Sequence, residues 1–514
     1  MNDLLSGAKD QDSISILQLL KCNRIYLILS LLISIIGWIL FKHCYPYPFL
    51  TYDSYLYLEI ASKNSTVSNW PIGYPKFIHI ISSLSNSTNL IVSIQFFTLQ
   101  ISLIIFFLTI KITFALRKIF SILLFLCLFI NPIFIFTSNH ILSDPLFIAF
   151  TIFWYSQLIW IIKGCNKYVI FFNAITLFFA FIFRYNAIYY PIINILTILL
   201  SSLTTRLKLV AILLSILLPY TFIQYTKSEF EKITGIKQYS YISGWKLASN
   251  ALYIYHNVYK KYPTNTSEKF KVLDSLARNY FNENKNDFFD LKNVDSDPTL
   301  GSWFIVKVDA PLMEYMHYIK NDNFKNNEWE NFEVENMAPL GPFFKDYGYY
   351  MIRKYPLAYL KYIIYPDLLS YLYPFSENLT NNYEPFSLWP DRHGEIAKTT
   401  LNLSKLNIRG KYMKLRYDLL NPFPTIFYYI HLFYLLILLC FLFGGSNRNL
   451  SRDKTLIISI LNIICLTNFL FVILIHTSAI RYEVFIIFLE LGLGITMAHF
   501  FSDQIKTLKF KKCS

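Results

Sequence analysis

The chain has 514 residues, 54% of them hydrophobic and 18% aromatic, and a formal net charge of +14. Several uncharged stretches reach the roughly 20 residues that cross a bilayer, which excludes a soluble fold and makes this an all-α polytopic membrane protein. Nor is the charge that of a nucleic-acid binder: residues 226–423 hold 25 basic and 23 acidic groups, so +12 of the excess lies in the membrane part, where it follows topology.

The first apolar run, Ile25 to Phe41, follows about 20 mainly polar residues and lacks a small-residue cleavage site, so it reads as a retained span rather than a removed signal peptide. Beyond it lies a polar segment, Tyr52-Asp53-Ser54-Tyr55, then Glu59, then Trp70-Pro71-Ile72-Gly73-Tyr74-Pro75-Lys76. Leu90 to Ile110, Ile119 to Thr137, Leu146 to Ile162 and Leu207 to Tyr225 each predict one spanning helix. Tyr168 to Leu203 carries Arg184, Asn186 and Pro191 near its middle, and reads as two short crossings meeting at the outer surface or as a re-entrant hairpin. Thr425 to Phe443, Thr455 to His476 and Val484 to Phe501 complete a set of about ten transmembrane helices. The basic residues agree with this count: Lys21, Arg24, Lys111, Arg117, Lys163, Arg206, Arg452 and Lys509 fall with their neighbours on one side, the cytoplasm. The membrane half of the other side has only Lys42, Lys63, Lys76, Arg184 and Arg481.

Three parts result: a transmembrane module, 1–225, with its first external loop at 43–88; a mainly helical external domain, 226–423; and a three-helix module, 424–514. Within the external domain, Phe343 to Tyr373 repeats aromatic and aliphatic residues at helical spacing, interrupted at Tyr355-Pro356 and Tyr365-Pro366, and predicts broken helices on the membrane surface. The stretch 282 to 298 reads as a solvated loop. The seven cysteines avoid the external domain, so structural disulfides are not expected, and no zinc-type spacing exists. His43, His140 and His476 lie near outer helix ends without metal-ligand spacing.

Ten acidic residues lie outside the external domain. Five of these, Asp53, Glu59, Asp144, Glu483 and Glu490, sit at or near outer ends of membrane helices, at the depth of Arg184 and Arg481. Ionisable groups at that depth are costly and are functional candidates by default. Asp53 is the candidate general base for an acceptor hydroxyl, and Arg184, Arg481 and Lys76 are candidates for holding a donor phosphate. A divalent metal bridging Asp53, Asp144 and that phosphate is allowed by charge alone, and the sequence does not decide it.

At these residues the chain resembles the GT-C superfamily of integral-membrane glycosyltransferases, in the branch of protein O-mannosyltransferases and lipid A aminoarabinose transferases. The resemblance covers roughly the first 225 residues. It rests on Asp53 with Tyr55-Leu56 and Ala61, on Pro71-Ile72-Gly73-Tyr74-Pro75, on Leu142-Ser143-Asp144-Pro145-Leu146 and on Phe183-Arg184-Tyr185. It implies an inverting transferase that moves a sugar from a polyprenyl-phosphate donor to a lipid, polysaccharide or protein acceptor, with Asp53 as base. It also implies that Asp144 orders the site, with phosphate held near Lys76, Tyr74 and Arg184. Ser54 stands where some members carry a second acid, and Tyr74-Pro75-Lys76 where others carry Lys-Pro-Pro. Strong Ile, Asn, Lys, Phe and Tyr usage suggests a bacterial source and a site on the periplasmic face of the inner membrane.

Simpler roles stand beside these. Asp53 suits a helix N-cap, and Ser143-Asp144-Pro145 a helix start. Arg184 suits a lipid-phosphate anchor, and Arg481 a partner for Glu483. Glu59, six residues after Asp53, does not share its helical face and reads as structural. Glu490 reads as internally paired beside Gly492 and Gly494. The competing functions are a lipid-linked saccharide transporter or ligase-like protein without base chemistry, and a membrane scaffold.

Overall fold

The computed structural model describes residues 22–85, 87–260, 267–283, 303–320, 333–375, 412–445, 450–475 and 479–513. The chain is an integral, multi-pass, all-α protein: among the described residues eight helices are long and apolar enough to span a membrane, and no strand forms. α1 (Arg24–Cys44) is followed by two shorter helices, α2 (Tyr52–Ser62) and α3 (Gly73–Leu84). α4 (Thr88–Phe114) returns, and α5 (Lys118–Phe129) with α6 (Pro132–Ser138) makes the next span. Pro132 divides that span, because proline has no N–H to bond the preceding turn and clashes with its carbonyl. Asn131 restarts the helix by accepting a hydrogen bond from Ile133 N at 2.9 Å. α7 (Asp144–Ile162) is followed by two shorter apolar helices, α8 (Lys167–Phe183) and α9 (Tyr190–Leu200), which meet at Arg184 and a 3-10 turn (Tyr185–Tyr189). This is the interruption that Arg184, Asn186 and Pro191 predict.

α10 (Thr205–Thr234) continues past the boundary read at residue 225 and stops at Gly235, whose φ of +72° supplies the left-handed stop. The external part is built from α11 (Ile242–Val258), α12 (Lys271–Glu283), α13 (Trp303–Val306), α14 (Pro311–Lys320), α15 (Val334–Met337) and α16 (Gly341–Lys354). Its core gathers Trp245, Leu252, Leu273, Met313 and Phe344, and takes in Val67 from the first external loop. α11 and α16 press together where a Cβ on Gly244 would lie 2.0 Å from the Gly341 carbonyl oxygen, so no larger residue fits there. The loop read at 282 to 298 lies from 284 onward outside the described residues, as does His476.

The surface segment breaks at Tyr355 but not at Tyr365-Pro366. Instead α17 (Pro356–Tyr359), a π-helical turn (Leu360–Ile364) and α18 (Tyr365–Leu372) run on without a gap. The widened turn relieves the clash that Pro366 makes with the carbonyl four residues earlier. α19 (Met413–Leu420), α20 (Phe423–Phe443), α21 (Arg452–Ile475) and α22 (Ile480–Cys513) close the fold. α22 does not stand apart from the N-terminal spans: Phe488 packs on Phe134 at 4.1 Å between ring centroids and Phe485 on Phe147 at 5.2 Å, within one continuous core.

Hydrogen bonds tie the spans together where no hydrophobic force between helices exists in lipid. Trp154 Nε1 donates to Asn194 Oδ1 at 3.0 Å, Asn194 Nδ2 to Asn173 Oδ1 at 2.9 Å and to Ser215 Oγ at 2.8 Å, and Gln157 Nε2 to Thr176 Oγ1 at 3.0 Å. This ladder fastens α7, α8, α9 and α10. Six of the seven cysteines, Cys22, Cys44, Cys127, Cys165, Cys440 and Cys465, are free.

Candidate functional site

Four chain segments bring their charged residues to one corner of the helix bundle. Asp53 lies in the first turn of α2 and Asp144 in the first turn of α7, where the positive end of the helix dipole favours a carboxylate. Arg184 follows the last residue of α8, the end that favours a cation, and Arg481 opens α22. Two short backbone pairings hold these ends in register. Phe49 N donates to Asn139 O at 2.8 Å and Ile141 N to Phe49 O at 3.2 Å, which laces the approach to α2 onto the approach to α7. Ile480 N donates to Phe375 O at 2.8 Å, which pins the start of α22.

The corner holds two acid–arginine pairs. Arg481 Nη1 donates to Asp53 Oδ2 at 2.9 Å, and Arg184 Nη1 bonds Asp144 Oδ1. Tyr482 stands between them: each guanidinium carbon lies 4.7 Å from its ring centroid, and Arg481 Nη2 donates to its hydroxyl at 2.6 Å. One aromatic ring thus receives both cations, whose charges the two carboxylates neutralise. Asp144 is almost sealed, with 3% of its side chain exposed, whereas Asp53 keeps 22%, so Asp53 is the acid that a ligand reaches.

Asp53 is not the N-cap of α2. Thr51 takes that place, and Ser54 Oγ accepts from Thr51 N at 2.9 Å, so the residue standing where a second acid was compared serves the helix start. Asp144 does both things: it opens its helix with Pro145 and pairs with Arg184. Arg481 turns to Asp53, and Glu483 turns away to His431 Nε2 at 3.3 Å. Glu59 pairs with Lys63 at 2.8 Å on the surface, a local structural role.

Tyr74 and Lys76 stand behind or beside the corner. Tyr74 is fully buried, donates to Gln95 Oε1 at 2.5 Å and meets Tyr57 edge-on at 4.9 Å. Gln95 in turn donates to the Ser138 and His140 carbonyls at 3.0 and 2.9 Å, so Tyr74 braces the loop before α7. Lys76 Nζ donates to Asn64 Oδ1 at 2.6 Å and to its carbonyl at 3.1 Å, and its burial, opposed by Glu229, lowers its pKa. Its hydrogen bonds fold the first loop rather than reach the acid–arginine pairs. In the same turn Gly73 is required by close approach: a Cβ there would lie 2.5 Å from the Ile182 carbonyl oxygen, two residues before Arg184.

Tyr57 and Tyr482, which the sequence does not single out, belong to the corner, as do Ser143, read as part of a helix start, and His140, read as a histidine without metal spacing. Tyr57 and Ser143 hydroxyls lie 3.2 Å apart, and burial, with Asp53 adding to it and Arg184 opposing, drives the Tyr57 pKa well upward, so it stays a neutral phenol. Its spacing of four residues from Asp53 was a usable signal, since such residues share a helix face. His140 is buried against Phe49 and Arg416, and burial followed by the Arg416 charge lowers its pKa to about 3. The donor set does not fit a divalent ion: Asp53 and Asp144 are each already bonded to an arginine, and no group of three His, Cys, Asp or Glu among the described residues has metal-holding geometry.

Comparison with protein-family models, with curated proteins and with solved structures finds no match to this chain.

Proposed function

We propose that the corner is the active site of an inverting glycosyltransferase using a polyprenyl-phosphate sugar, of the GT-C kind, with Asp53 as general base. The observation that carries this reading is the Asp53–Arg481 pair, half-open at the outer end of four converging segments, beside a sealed Arg184–Asp144 pair. A polyprenyl donor keeps its chain in lipid and its phosphate at the rim, where both guanidinium groups lie. Phosphate is a better bidentate partner for arginine than one carboxylate oxygen is, so its arrival draws Arg481 from Asp53. The released carboxylate accepts the proton of the acceptor hydroxyl as that oxygen attacks the anomeric carbon. The bond from that carbon to the phosphate oxygen breaks, its electron pair leaves with the polyprenyl phosphate, and configuration inverts. Arg184 and Arg481 meet the charge developing on the leaving group.

Membrane lipids contact the apolar faces of the spans; donor sugar and hydroxyl acceptor are the site's further partners on this reading, with the site on the periplasmic side of a bacterial inner membrane. The test is transfer of radiolabel from a panel of polyprenyl-phosphate sugars by purified protein and by Asp53→Asn. Transfer retained in a folded Asp53→Asn protein overturns the assignment of the base, and no label transfer by the wild type overturns the reaction.

A further inference from the structure

Beneath the rim, α20, α21, α22 and α18 enclose a second set of ionisable groups that the reaction above does not use. His431 on α20 lies between two carboxylates of α22: its Nδ1 is 2.8 Å from Glu490 Oε2 and its Nε2 is 3.3 Å from Glu483 Oε2. All three side chains are sealed, with 3%, 0% and 3% exposed for His431, Glu483 and Glu490. Tyr371 of α18 closes the top, its ring 4.8 Å from the imidazole and its hydroxyl 3.5 Å from Glu490 Oε1. Both ring nitrogens face carboxylate oxygens, a pattern satisfied by an imidazolium with two N–H donors. Such a cluster sealed among apolar helices needs a reason.

Helical geometry supplies one. Glu483 and Glu490 are seven residues apart, so they lie within about 20° of one face of α22. Arg481 precedes Glu483 by two residues, about 200° round the helix, which places it on the opposite face. Whatever locks the first face therefore sets the rotation of the second.

We propose that His431 is a positioning residue: bonded through both ring nitrogens to Glu483 and Glu490, it fixes the rotation of α22 and so presents Arg481 to Asp53 and Tyr482 to Arg184. The ligand readout below rests on the phosphate-binding reading of the corner; the thermal readout does not.

The experiment uses the full chain in detergent micelles with undecaprenyl phosphate as the probe, bound fractions being read by native mass spectrometry. Arg481→Ala weakens binding by about tenfold or more, and His431→Phe does so to a similar degree. His431→Lys, which keeps a cation between the two glutamates, stays within about threefold of wild type. His431→Phe in the Arg481→Ala background weakens binding no further, because the imidazole acts through that arginine. A residue that merely fills space gives the reverse order, with phenylalanine tolerated better than lysine, and that order overturns the proposal. Failure of the wild type to bind the probe counts against the functional reading alone. The positioning role is then read without ligand, from thermal unfolding of Asp53→Asn, Arg481→Gln and their double variant. The two changes are less than additive in the wild-type background and additive in His431→Phe; equal coupling in both backgrounds overturns the proposal.

Discussion

At the outer rim, Asp53 and Arg481 keep 22% and 12% of their side chains exposed and share one hydrogen bond. Against the opposite face of α22, His431 is sealed between Glu483 and Glu490 and bonded on both sides. The same residue types serve different ends in the two places. An ion pair that keeps some contact with water is opened at less cost than a sealed one, so its partners exchange more readily for a ligand. A buried one cannot be opened without leaving an uncompensated charge, so it holds geometry instead. Asp144 and Arg184 sit between these limits, with the acid sealed and the arginine 15% exposed.

The largest expected effect separates chemistry from stability at the rim. Asp53→Asn lowers transfer by about 10²- to 10⁴-fold, the usual contribution of a positioned base, while the midpoint of thermal unfolding falls less than it does in Arg184→Gln. A large loss of stability in that variant would place Asp53 with the buried groups and erase the contrast. Arg184→Gln behaves oppositely: it strands the sealed Asp144 carboxylate and destabilises by about 3–5 kcal/mol, and adding Asp144→Asn recovers most of that. Thermal unfolding of the three variants measures it.

His140 extends the comparison to pH. Its folded pKa of about 3 lies below the ordinary 6.5. On acidification the unfolded chain binds a proton near 6.5 while the folded protein does not until near 3, so stability falls with falling pH across that window. The contribution is at most about 1.4 kcal/mol per pH unit, and His140→Asn removes it, flattening the dependence of the unfolding midpoint between pH 6.5 and 4.

Asn194→Leu probes the uncharged interior. It leaves Trp154 Nε1 and Asn173 without their partner, and destabilises by about 1 kcal/mol, with transfer unchanged per folded molecule. The smallest effect belongs to Lys76. Lys76→Ala removes exposed bonds to Asn64 and changes stability by about 0.5 kcal/mol or less; a tenfold loss of donor binding instead would bring Lys76 into the phosphate site.

Some of the site was open to reading from residue order and some was not. Thr51 and Asp53 are both favoured N-cap residues, aspartate the stronger, and only the position of the helix start shows that Thr51 fills the role. Arg481 and Glu483 are sequence neighbours of opposite charge, yet on a helix two residues apart they face opposite ways, and each finds a partner elsewhere. His431 lies inside an apolar run, where a lone histidine carries no signal of the glutamates it will meet.

By itself the sequence predicted where the apolar spans lie and that the acids outside the long polar segment gather near helix ends. Those follow from local properties: uninterrupted apolar length, the placement of charged residues, and the breaks made by proline and polar residues. Tertiary structure alone decided the pairing. Asp53 and Arg481 are 428 residues apart and Asp144 and Arg184 are 40 apart. Which charge meets which depends on how far each helix is turned about its axis, and that rotation is set by contacts, apolar and polar, with segments distant in the sequence.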